Sequence, residues 1–109
     1  MKKYPTYSDF EKQFPEYIII QKERFMYTTH GRSAEAFGFF MDYKVVKSND
    51  GQAFTGGPDP DKICQVLKGQ NISFILIEDH RIVDGHSGEN PFEKPMRFSF
   101  GRKDHIICK

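Results

Sequence analysis

FPEYIIIQKERFMYTTHGRSAEAFGFFMDY, residues 14–43, carries the pattern that decides the fold. The apolar run over 17–21 contains three consecutive isoleucines, which fits a strand buried on both faces. The polar triplet Lys22, Glu23 and Arg24 suits a tight antiparallel connection into a second strand over 25–29, rich in aromatic and β-branched residues. Gly31 breaks that strand. Ser33 then offers a cap for a helix in which Ala34, Phe37, Phe40 and Met41 recur at spacings of three and four and so share one face. Gly38 weakens such a helix by about 1 kcal/mol relative to alanine, which suggests close approach of a neighbouring element. The cluster of Phe37, Phe39 and Phe40 reads as core packing.

Upstream, Ser8 and Glu11 make an S-x-x-E capping box for a short helix over 9–13, and Pro15 ends that helix at Phe14. Downstream, 44–47 reads as a third strand. Asn49-Asp50-Gly51 is a turn whose Asp-Gly pair tolerates the positive φ of a type I′ hairpin, and 52–55 returns as the fourth strand. Gly56, Gly57 and Pro58 form a bend. Asp59 followed by Pro60 supplies an N-cap and a first-turn proline for a helix reaching Lys68, with Ile63, Val66 and Leu67 as its apolar stripe and Gly69 as its stop. The stretch 72–78, ISFILIE, is a central strand, and Asp79-His80 turns it into a partner strand over 81–84. Residues 85–95 read as an exposed loop, and 96–100 with 106–108 as a closing hairpin. The alternation of helices and strand pairs predicts one α/β (α+β) domain, a mixed sheet covered by helices.

A chain of 109 residues with 38% hydrophobic and 15% aromatic content fits one core. Eleven Phe, five Tyr and no Trp make that core phenylalanine-rich. Sixteen basic against fifteen acidic residues leave a net charge of +1, which argues against a strong, purely electrostatic hold on duplex DNA. Neither a signal peptide nor an apolar run long enough for a membrane span is present, so a cytoplasmic protein with no membrane partner is expected. Cys64 and Cys108 lack CxxC spacing and read as free thiols.

Residues 14–78 resemble the N-terminal, mismatch-recognising domain of the MutS family of DNA repair proteins. The resemblance rests on Ile18-Ile19-Ile20, Phe25, Gly31, Ala34, the Gly57-Pro58 bend before Lys62, and the strand from Phe74 to Glu78. It implies that family's mixed α/β fold, and it places Phe25 where the family's G-x-F-Y-E motif carries a phenylalanine that wedges into DNA. The rest of the motif departs. Glu23 stands for the glycine, Met26 for the tyrosine and Tyr27 for the glutamate that reads the displaced base. The family's ATPase has no room here and no Walker motif, so mismatch-repair activity is not carried over.

Three classes of function follow. In the first, single-stranded or distorted DNA binds weakly, with Phe25 or Tyr27 stacking on a base and Lys22, Arg24 and Arg32 meeting phosphates. Against it stands the plain reading that a strand phenylalanine points into the core. In the second, the domain contacts a protein partner or a second copy of itself, through an exposed sheet edge or the aromatics Phe92, Phe98 and Phe100. An enzyme is the third and weakest reading. His30, His80, His86 and His105 lie near Asp79 and Asp84 only in scattered spacing, no serine or cysteine sits in a nucleophile motif, and Gly56-Gly57 before a helix with Asp59 and Asp61 makes no phosphate cradle. No catalytic residue, cofactor or metal is therefore expected.

Overall fold

The computed structural model describes residues 4–93. The elements are α1 (Tyr7–Gln13), β1 (Ile18–Glu23), β2 (Met26–His30), α2 (Arg32–Met41), β3 (Val46–Lys47), β4 (Ala53–Gly57), α3 (Pro60–Gly69), β5 (Phe74–Glu78) and β6 (Arg81–His86). They build one mixed six-stranded sheet in the order β3-β4-β2-β1-β5-β6. Only β1 and β5 pair in parallel, Ile18 opposite Phe74 through Gln21 opposite Ile77; the other neighbours are antiparallel.

The three isoleucines explain why β1 is central. Ile18 and Ile20 point to one face and pack with Phe37, Phe40, Ile63, Leu67 and Phe74, under α2 and α3. Ile19 points the other way and joins Ile75, Ile77 and Phe10 beneath α1. A strand covered on both faces needs apolar residues at successive positions, as this one has. No helix among the described residues is long and apolar enough to cross a membrane.

Local chemistry corrects several expected boundaries. The N-cap of α1 is Thr6, not Ser8: Thr6 has the extended backbone a cap needs, and its hydroxyl accepts from the Asp9 amide while the Asp9 carboxylate accepts from the Thr6 amide. Ser33 does not cap α2. Gly31 holds that position at φ 64 without a side-chain bond, and the buried Ser33 hydroxyl accepts from the Ile19 amide, 3.0 Å away, tying helix to strand. The β3–β4 connection is not a two-residue type I′ turn, because only Gly51 of the Asp50-Gly51 pair has positive φ; residues 48–52 form the loop.

Gly56 and Gly57 belong to β4 and are not a bend. A Cβ on Gly56 would lie 2.4 Å from the Tyr27 carbonyl oxygen, so glycine is what lets β4 lie against β2. Gly38 has the close neighbour its sequence position implied, Val45, whose Cγ2 would stand 2.3 Å from an added Cβ. Asp59 does cap α3, accepting from the Asp61 and Lys62 amides, with Pro60 in the first turn. Gly85 and His86 extend β6 past its expected end. The closing hairpin over 96–100 and 106–108 lies outside the described residues.

Candidate functional site

Cα pairing of Glu23 with Met26 leaves Arg24 and Phe25 as the two central residues of the β1–β2 turn. Arg24 has φ 61 and Phe25 does not share the positive sign. A positive φ at the first central position alone is the mark of a type II′ turn, where glycine is the usual residue. The turn lifts Phe25 off the strand, and its ring is 87% exposed. Lys22 and Arg24, both just before it in sequence, are exposed as well.

Tyr27 is turned inward. Its ring lies in the main core, and its hydroxyl donates to Glu78 Oε2 at 2.6 Å. That bond, with burial added, pushes the phenol up to about 12. Lys22 Nζ lies 5.9 Å from the same ring. Arg32 is at the opposite end of β2, where its guanidinium stacks on Phe92, 3.9 Å from the ring centroid, and donates to the Pro15 carbonyl oxygen. The geometry thus gathers Phe25, Arg24 and Lys22 at one end of the sheet, with the Tyr27 ring beneath them and Arg32 apart.

Because β5 runs parallel to β1, its C-terminal end opens on that same end of the sheet. The β5–β6 turn there consists of Asp79 at φ 54 and His80 at φ 64, positive φ at both central positions as in type I′. The His80 ring stacks on Tyr4 with centroids 4.8 Å apart and planes 18° from parallel, and its Nδ1 is 3.3 Å from the Pro5 carbonyl oxygen. Tyr4, Asp79, His80 and Arg81 line a cavity of about 420 Å³.

The carboxylates at this end are partly engaged inside the fold. Glu23 lies 3.5 Å from His30 Nε2, and Glu78 accepts a hydrogen bond from the Tyr27 hydroxyl. Among the described residues no group of three or more His, Cys, Asp or Glu side chains could hold a metal ion. Cys64 is buried, and burial first, then the Asp84 carboxylate, pushes its thiol up to about 12, which removes the thiolate a nucleophile needs.

No family model and no curated protein matches the chain. Tyr4, His80 and Arg81 carry no sequence signal that links them, because Pro5 and His80 meet across 75 positions of the chain. The available hint was local: Asp and His are, with Asn, the side chains that tolerate positive φ best.

Proposed function

We propose that this domain is a weak, non-catalytic nucleic-acid-binding module that presents Phe25 to a base of single-stranded or distorted DNA. The observation that carries the reading is Phe25, 87% exposed in the two-residue Arg24-Phe25 turn that follows Lys22 and Glu23 of β1. An apolar ring held out in water gives up the burial that a core phenylalanine would gain, and bases supply the flat apolar face it lacks. The position Phe25 shares with the wedge of the MutS recognition domain supports the same reading. Tyr27 in place of that family's reader glutamate, with its hydroxyl engaged by Glu78, argues for binding without mispair discrimination.

The test is Phe25→Ala, with binding to a fluorescent single-stranded oligonucleotide followed by anisotropy at low salt. Stacking of one base is worth about 1–3 kcal/mol, so affinity should fall about tenfold. Thermal stability should hold, because the side chain is exposed. Unchanged affinity in the variant, or no binding by the parent at low salt, would sink the proposal.

One observation favours a second reading, protein contact or self-association. The sheet edge β6 is six residues long and exposes Ile82 and Val83 at 44% and 53%, whereas the other edge, β3, has two residues. Such an edge can accept a further strand. Sedimentation of the parent beside Val83→Lys decides it: a dimer lost in the variant favours the edge, and a monomer at all concentrations removes self-association.

A further inference from the structure

We infer that the sheet end holding Phe25 carries a second base-stacking subsite, formed by Tyr4, Asp79, His80 and Arg81, so that one nucleic-acid strand spans both turns. The inference rests on the nucleic-acid reading of Phe25 and extends it to the turn alongside.

Geometry comes first. In the order β2-β1-β5-β6, the β1–β2 turn and the β5–β6 turn are side by side, with their centres two strand spacings apart. Strands lie 4.7–4.9 Å apart, which makes that span about 10 Å. A stacked strand advances roughly 3.4 Å per nucleotide, so the three steps of a tetranucleotide reach from one turn to the other. The open cleft bordered by these four residues, about 420 Å³, falls in the volume range of small-molecule sites.

The chemistry of the lining is that of a nucleotide site. Tyr4 and His80 already form a stacked pair, a platform on which a base continues the stack. The Asp79 carboxylate can accept from a base's exocyclic amine, as acidic side chains do with cytosine. Arg81, exposed beside it, supplies the cation for the linking phosphate.

The backbone gives an independent reason. Arg24, Asp79 and His80 are three of the five non-glycine residues with positive φ among the described residues, and all three sit in these two turns. Glycine would fill each position without strain. Asp79 and His80 tolerate the positive φ of their turn, whereas Arg24 keeps a basic side chain at a position that usually takes glycine, at a cost in backbone strain.

The experiment is a titration of the isotope-labelled full chain with a deoxycytidine tetranucleotide at low salt, following backbone amide shifts, repeated on His80→Gly and Tyr4→Ala. Shifts at Arg24 and Phe25 together with Asp79, His80 and Arg81 are expected, with about tenfold weaker binding in each variant. Thermal stability should be equal or higher in His80→Gly, since glycine suits its φ of 64. Shifts confined to Arg24 through Met26 would overturn the second subsite and leave the Phe25 reading standing. No shift at either turn would overturn both, and shifts at 79–81 with undiminished affinity in both variants would overturn the stacking role.

Discussion

Two phenols link the fold to alkaline pH. Tyr7 donates to the backbone oxygen of Ile19 at 3.0 Å and accepts from the His30 amide at 2.9 Å, and burial pushes it up to about 12. Tyr27 reaches the same value chiefly because the Glu78 carboxylate accepts a hydrogen bond from its protonated hydroxyl. An unfolded tyrosine ionises near 10. Between that pH and about 12 the folded chain keeps protons that the unfolded chain has released, so these phenols contribute fully below pH 10 and their contribution is lost as pH rises toward 12. Alkaline unfolding should therefore set in above pH 10, with part of the tyrosinate absorbance appearing together with the loss of circular dichroism. Tyr27→Phe should remove part of that coupled signal and cost about 1 kcal/mol in denaturant unfolding at neutral pH, the usual worth of one internal hydrogen bond.

At the scale of the element, the β1–β2 hairpin and the β2–β4 pairing make opposite demands on glycine. Arg24 occupies a left-handed position that costs a side chain about 1 kcal/mol, so Arg24→Gly should raise stability by up to that amount in thermal melts while weakening oligonucleotide binding. Gly56→Ala should cost about 2 kcal/mol or more, because the new methyl meets the Tyr27 carbonyl, a backbone atom that cannot swing aside. A variant as stable as the parent would show that β4 can slide. These elements also show what the sequence made legible. Pro15, Asp59-Pro60 and the Ile18-Ile19-Ile20 run act through local sterics and burial, and each lies where it was expected. The β1–β2 turn was misplaced by a residue or two because it lacks the Gly, Asn or Asp that marks such turns; Lys22 and Glu23 are strand residues and Phe25 is not. The role of Ser33 was hidden for another reason, since its partner, Ile19, is 14 residues away and a capping rule sees only neighbours.

At the scale of the whole molecule, the described residues form the predicted mixed sheet of six strands, with three helices packed on it. Composition and patterning could reveal this class, since fully apolar and alternating strands bury different numbers of faces. Strand order could not be read, and with it the adjacency of the two turns, because it depends on pairings between distant segments. A net charge of +1 gives the molecule no long-range field to draw nucleic acid in. Affinity should then hang on Lys22, Arg24 and Arg81, and log affinity against log salt should fall with a slope of about −2, from roughly 0.7 per phosphate met on a single strand. A slope near zero would remove phosphate contact from the account.

The placement of β5 between β1 and β6 also sets an order of events during synthesis. The four strands β3, β4, β2 and β1 are all complete before β5 is translated, yet β1 then forms their open flank. Until Phe74–Glu78 emerges from the ribosome, the isoleucine strand stands without the neighbour that closes it. The nascent chain therefore passes through an interval, about fifty residues long, in which the free edge of its isoleucine strand is open to pairing with another β-edge.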